Sequence, residues 1–275
     1  MTPVSIVLPT YNECENILGV IDDIGATLGA AIFEVIVVDD NSPDGTSPLV
    51  AHAAESLPWL RLITRTTDRG LIASIRAGIA EARYEVCVWM DADCSMKAEA
   101  IPRLLAEIEG GADLAIGSRY IEGGGVKGSD GKTKNLIPIR RQLRGTGDSF
   151  LQVVLSLLGN RALHRFLTTQ VTDYTSGYYA VRKEVAEGVG LGGTYVDYCI
   201  RFAYMASLRG HVIREVPVIV HPRVGGQSKT AVSLFGLFAI SFGCLRVAVL
   251  LKMARHKNAS VGSGPKNLRN ESRRP

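Results

Sequence analysis

Residues 85–95 read EVCVWMDADCS. An apolar run, Val86 to Met90, leads straight into Asp91-Ala92-Asp93, with Cys94 and Ser95 behind. Such a short, continuously apolar run suits a strand buried on both faces. A chain leaving a buried strand usually turns on Gly, Asn or Pro. This one sets down two carboxylates, one residue apart. With 13 Asp in 275 residues, a D-x-D arises about 0.6 times by chance. Its place in the chain therefore decides what it is worth.

Working outward, four more runs have the same character: SIVLP (5–9), EVIVVDD (34–40), LRLIT (60–64) and DLAIGS (113–118). Between them lie helical patterns at 13–29, 46–56, 70–83 and 98–109. Strand–helix alternation of this kind predicts a mostly parallel α/β sheet covered on both faces. After Arg119 the pattern changes. Residues 122–135 are rich in Gly and Lys and read as a loop. A long helical stretch follows at 139–169, basic at its start (Arg140, Arg141, Arg144). DYTSGYYAVRKEV (173–185) leads from a loop into a strand, followed by a helix at 195–209 and a strand at 213–220. No internal repeat is present.

A hydrophobic content of 46% excludes disorder. The five cysteines (Cys14, Cys87, Cys94, Cys199, Cys244) are scattered, odd in number and form no C-x-x-C pair. That argues against a disulfide framework and a zinc site, and for a reducing compartment. With no basic and apolar leader at Met1, the expected starting place is the cytoplasm.

The net charge of +4 is unevenly spread. From Lys252 onward seven Lys or Arg face one Glu, so this tail is +6 and the remainder −2. Just before it, residues 232–251 (VSLFGLFAISFGCLRVAVLL) are apolar except for Arg246. That length suffices to span a bilayer. A single span would carry the basic tail away from a cytoplasmic body, against the positive-inside bias. The favoured expectation is a membrane-associated helix, in-plane or paired through Gly236 and Gly243, with the tail on anionic lipid. The resulting division is a catalytic domain at 1–229, an apolar helix at 230–253 and a basic tail at 254–275.

In an open α/β sheet, ligands bind beyond the carboxyl ends of the strands. Pro9-Thr10-Tyr11-Asn12-Glu13 follows the first strand, Asp39-Asp40-Asn41-Ser42-Pro43-Asp44-Gly45 the second, and Asp91-Ala92-Asp93 the fourth. Three acidic segments thus share one edge. Two carboxylates side by side repel without a cation. A hard divalent cation such as Mg²⁺ would bridge them to a diphosphate. No strand is followed by G-x-G-x-x-G, and G-x-x-x-x-G-K-[ST], H-E-x-x-H and G-x-S-x-G are absent, which weighs against nicotinamide, P-loop, zincin and serine-hydrolase chemistry.

VSIVLPTYNE, VDDNSPDGT, RGLIASIRAGIAEA, MDAD, AIGSRY, TSGYYAVRKE and EVPV followed by RVGGQSK together resemble the family-2 glycosyltransferases, nearest their dolichol-phosphate (polyprenol-phosphate) mannose synthase branch. The resemblance covers roughly residues 4–229. It implies a GT-A fold and a sugar-nucleotide donor. By position, Pro9, Tyr11 and Glu13 would line the base and ribose, with Asp40 close by and Ala92 at the nucleotide. Asp91 and Asp93 would hold Mg²⁺ or Mn²⁺ against the diphosphate. Arg223 and Lys229 would approach the diphosphate and the acceptor phosphate, and Arg119 and Arg141 would complete a phosphate-binding cluster. Arg forks match phosphate oxygens and Lys acts as a point charge, in keeping with that assignment.

Two departures stand out. Where relatives carry a metal-holding Gln two positions after the D-x-D, this chain has Ser95, whose hydroxyl is an oxygen donor. Where many relatives carry an acid before EVP, this chain has Ile200 or Arg201, with Asp197 one turn earlier. A sugar hydroxyl needs a general base, whereas a polyprenyl phosphate is already anionic near neutrality. The expected activity is inverting transfer of a hexosyl group, mannosyl from GDP-mannose, to a polyprenyl or dolichyl phosphate at the cytoplasmic membrane face. Alternatives are a UDP-glucose or UDP-N-acetylglucosamine donor, a saccharide hydroxyl acceptor, and a non-catalytic sugar-nucleotide binder. Expected partners are the donor, the lipid phosphate, membrane lipid and a second copy through the C-terminal helix; no nucleic acid is expected.

Overall fold

β1 (Val4–Thr10) sends Val4, Ile6 and Leu8 into one core and Val7 into another. β2 (Phe33–Asp39) does the same with Val35 and Val37 against Ile36 and Val38. This period-two alternation, apolar on both parities, is what a strand covered on both faces requires. The computed structural model describes residues 1–126, 150–167, 171–194, 197–221 and 242–253.

β3 (Leu60–Thr64), β4 (Val86–Trp89), β5 (Leu114–Ser118), β6 (Tyr179–Arg182) and β7 (Ile213–Pro217) complete a seven-stranded sheet in the order β3-β2-β1-β4-β6-β5-β7. Every pairing is parallel except those of β6, which runs antiparallel between β4 and β5. The sheet is therefore mixed, as in GT-A-like α/β folds. One core lies under α1 (Ile17–Leu28) and α4 (Ile101–Glu109). The other lies under α3 (Leu71–Ala80), α5 (Phe150–Leu167) and α7 (Tyr198–Leu208). α2 (Thr46–Ala54) and α6 (Lys183–Val189) complete the main cover. Gly78 brings α3 hard onto β1: a Cβ there would stand 2.3 Å from Val7 Cγ1.

β1 lies between β2 and β4, so the chain passes to opposite sides of β1 after successive units. That switch point opens a crevice at the carboxyl ends of β1 and β4. β4 stops at Trp89, one residue short of the end of the apolar run at Met90, and α1 begins at Ile17 instead of 13. Both ends give way to the loops that build the crevice.

Residues 242–253 are helical and form α8. α8 buries Val247 and Ala248 but exposes Phe242, Leu245, Val249, Leu250 and Met253. Lys252 Nζ donates to Phe166 O at 2.7 Å and lies over that ring, tying α8 to α5. The rest of the expected apolar helix, 230–241, and the basic tail, 254–275, fall outside the described residues. Among the described residues no helix is long and apolar enough to cross a membrane.

Candidate functional site

The loops after β1 and β2 are built as one piece. Three consecutive amides of the first loop donate to side chains of the second. Asn12 N–H reaches Ser42 Oγ at 2.9 Å, Glu13 N–H reaches Thr46 Oγ1 at 3.1 Å, and Cys14 N–H reaches Asp44 Oδ2 at 3.0 Å. Each hydroxyl passes the load to a carboxylate: Ser42 donates to Asp39 Oδ1 and Thr46 to Asp44 Oδ1. Burial alone would push the Asp44 carboxyl up, but the Thr46 hydroxyl and the Cys14 and Thr46 amides hold it below the usual range.

The paired acids after β2 divide their work. Asp39 is fully buried and accepts from Thr10 Oγ1, Ser42 N–H, Ser42 Oγ and Ser47 Oγ. It is the scaffold of the loop. Asp40 lies at the cleft wall, with Arg65 Nη1 at 3.1 Å and Ser74 Oγ at 2.9 Å on Oδ1, and Gly70 N–H at 2.6 Å on Oδ2. Asp40 thereby draws the loop after β3 onto the edge.

The cleft at the switch point has a volume of about 430 Å³. Pro9, Tyr11, Glu13, Asp40, Asp91, Ala92 and Asp93 all line it, so the structure brings these seven expected site residues to one cleft. Tyr11 stands half-exposed with the Arg69 guanidinium 5.0 Å from its ring centre. Arg69, Gly70, Leu71 and Ser74 also line the cleft. Sequence reasoning did not single them out as site residues, because nothing in the loop after β3 resembles an acidic turn. The available signal was the RGLIAS segment itself, where Gly70 at φ 131 starts α3.

Backbone strain collects on the same edge. Among the described residues, the non-glycine positions with positive φ are Asn12, Asn41, Asp68 and Cys94, at 56, 55, 49 and 63°. They sit one each in the loops after β1, β2, β3 and β4. Such conformations persist only where surrounding contacts over-determine them, and they concentrate at ligand sites. At Cys94 the turn is closed by Ser95 N–H donating to Asp93 Oδ1 at 3.0 Å. Ser95 is buried behind the carboxylates and does not line the cleft. Its carbonyl accepts from His221 N–H at 2.8 Å, which brings the end of the chain segment after β7 against the D-x-D loop.

Four carboxylates (Glu13, Asp40, Asp91, Asp93) line the cleft against Arg69, the one cation that lines it among the described residues. Among those residues no three His, Cys, Asp or Glu converge into an all-protein metal cage. Two adjacent carboxylates without such a cage fit Mg²⁺ or Mn²⁺, which take one or two carboxylates and complete their shell with phosphate oxygens and water. Asp91 and Asp93 are the residues that would hold it. All five cysteines are free and raised by burial above their ordinary values, Cys87 and Cys199 to about 12 and Cys244 to about 11. None supplies a thiolate nucleophile at neutral pH.

Arg119 does not line the cleft. Its Nε and Nη2 grip Asp173, Nη2 also donates to Thr175 Oγ1, and its own amide donates to Asp173 Oδ2. Burial would lower the guanidinium's pKa, but the Asp173 carboxylate carries it above its ordinary value. Asp197 begins α7 and is likewise engaged. Burial would raise its carboxyl, but the Thr194 hydroxyl and amide and the Arg201 guanidinium hold it below the usual range. Arg141, Arg223 and Lys229 lie outside the described residues.

The family model described as "Glycosyl transferase family 2" matches residues 5–190. A dolichol-phosphate mannosyltransferase from Pyrococcus furiosus is 35% identical over 226 residues, covering 82% of this chain and 58% of that protein. The chain thus spans under two thirds of that relative's length. A polyprenol monophosphomannose synthase from Mycolicibacterium smegmatis is 36% identical over 233 residues, covering 82% of this chain and 79% of its own. Among solved structures, a mannosyltransferase from Pyrobaculum calidifontis in complex with GDP-Man and Mn²⁺ superposes with a TM-score of 0.55 at 18% identity. The match covers 95% of this chain and 65% of that one, and at such identity it bears on the fold alone.

Proposed function

The chain belongs to glycosyl transferase family 2, and from that premise we propose that it moves a mannosyl group from GDP-mannose onto a polyprenyl phosphate, with inversion, at the cytoplasmic membrane face. The observation that carries this reading is the cleft at the β1/β4 switch point, where Asp91 and Asp93 share a wall with Tyr11 and Glu13. The mannosyl-transferring relatives support the sugar and the lipid phosphate.

Tyr11 and Pro9 offer apolar surface to a base, and Glu13 an acceptor for base or ribose donors. Asp91 and Asp93 would hold a divalent cation, which supplies charge neutralisation of the departing nucleoside diphosphate. An oxygen of the acceptor phosphate forms the new bond to the anomeric carbon as the bond to the diphosphate oxygen breaks. Arg223, Lys229 and Arg141 are proposed to align that phosphate, while Arg119, held on Asp173, braces the end of β5 and Ser95 closes the D-x-D turn. No general base is needed, since the acceptor arrives ionised. Asp197 is engaged by Thr194 and Arg201 and does not line the cleft, which favours this acceptor over a saccharide hydroxyl. The exposed apolar residues of α8 support contact with membrane lipid.

Membranes bearing polyprenyl phosphate, incubated with the protein, radiolabelled GDP-mannose and Mg²⁺, are expected to yield a labelled lipid. Absence of label with GDP-mannose, UDP-glucose and UDP-N-acetylglucosamine alike would overturn the reading.

A further inference from the structure

Asn16 occupies the N-cap position of α1 but does not cap it. An N-cap Asn ordinarily turns its carbonyl oxygen onto the amides of the first helical turn. Here the residue is already in the helical region, at φ −112 and ψ −34, and makes no side-chain cap bond. Its amide is turned the other way, and Nδ2 donates to Glu13 Oε2 at 2.9 Å.

The orientation is fixed by chemistry. Flipping the amide would set Oδ1 against the Glu13 carboxylate, acceptor on acceptor. Yet as placed, Oδ1 is buried and has no hydrogen-bond partner among the described residues. A buried unsatisfied carbonyl costs about 1–3 kcal/mol. Asn16 is 4% exposed and forgoes both the cap and its own oxygen's partner while its NH₂ holds Glu13. Glu13 is a wall residue of the cleft, where Asn16 is not. The backbone carbonyl of Asn16 also receives the Cys94 thiol at 3.7 Å, so the same residue abuts the D-x-D turn.

We propose that Asn16 is a positioning residue that fixes the Glu13 carboxylate for recognition of the donor's nucleoside. This rests on reading the cleft as a sugar-nucleotide site. A carboxylate pinned by an amide keeps its direction and presents a fixed acceptor to N–H or O–H donors of base and ribose. Asn16 acts on the donor only through Glu13.

The test is donor kinetics on the full chain with GDP-mannose and polyprenyl phosphate, for Asn16→Asp, Asn16→Ala, Glu13→Ala and the Asn16→Ala/Glu13→Ala pair. Asn16→Asp keeps the size of the side chain and removes the Nδ2 donor, so a residue that only fills space leaves the donor KM at the wild-type value. Positioning instead sets two buried carboxylates together and raises the donor KM on the order of tenfold with kcat little changed. Their repulsion also lowers the melting temperature, so the Glu13→Ala background separates the two effects. In the Glu13→Ala background, Asn16→Ala is expected to add nothing. Unchanged donor KM in Asn16→Asp, or an Asn16→Ala effect undiminished without Glu13, overturns the proposal while the function stands. A wild-type chain that turns over no sugar nucleotide overturns the reading of the cleft and this inference with it.

Discussion

Arg119 and Asp173, 54 residues apart, meet as a two-pronged ion pair, with Nε and Nη2 of the arginine 2.8 and 2.7 Å from the two carboxylate oxygens. Glu215 on β7 accepts from the Asp173 and Thr172 amides, and Asn160 on α5 donates to Thr175 Oγ1 and accepts from Tyr174 N–H. The end of β5, the TSGYY loop, α5 and β7 are thus bound together by the Asp173 and Glu215 carboxylates and the Asn160 amide. Asp173→Asn leaves the guanidinium buried without its counter-charge, and removing one partner of such a pair costs about 3–5 kcal/mol. A urea titration is expected to show a lower midpoint with an unchanged slope. Arg119→Lys should behave similarly, since an ammonium cannot reproduce the fork.

Asp91→Asn and Asp93→Asn are expected to leave the fold intact, because the carboxamide that Asp93→Asn introduces keeps an oxygen able to accept from the Ser95 amide. Melting temperatures should fall only modestly, since Asp93 is buried but its bond from the Ser95 amide is kept. Calorimetry with Mn²⁺ and GDP-mannose should show binding weakened by at least about tenfold for each. Unweakened metal-dependent binding in both would remove these residues from the cation.

Asp197→Asn tests the acceptor chemistry. A general base contributes about 100-fold or more to turnover. Asp197 is engaged by Thr194 and Arg201 and does not line the cleft. Turnover with polyprenyl phosphate should therefore fall by less than about fivefold, far short of the loss of a general base.

Glu34 ties the opposite end of the sheet, away from the cleft. It accepts from Ser5 Oγ at 2.8 Å, Arg83 N–H at 2.7 Å and Arg61 Nη1 at 2.9 Å. Burial would raise its carboxyl, but these donors hold it below its ordinary value of 4.5. Because the folded-state value is the lower one, the stabilisation is whole above about pH 4.5 and is lost as pH falls through the depressed value. Glu34→Gln should be less stable at pH 7 by about 1–3 kcal/mol. Denaturant titrations across the acid range should show that gap closing at low pH.

Much of the site was legible locally. β-branched runs marked β1 to β5, and the acidic turns after β1, β2 and β4 fell at the carboxyl edge as strand polarity demands. Those signals are local because apolar periodicity and turn chemistry are carried by adjacent residues. By itself the sequence determined that three acidic segments share an edge, and that Asp91 and Asp93 follow a buried strand there. Only the tertiary structure decided that Asp39 is scaffold while Asp40 faces the cleft. It alone placed Arg69 over Tyr11, spent Arg119's fork on Asp173, set β6 antiparallel between β4 and β5, and set the Asn16 amide on Glu13. In each case neighbouring strands or loops compete for the same few donors and acceptors. Which partner wins depends on sheet order and register, and these depend on residues far apart in the chain.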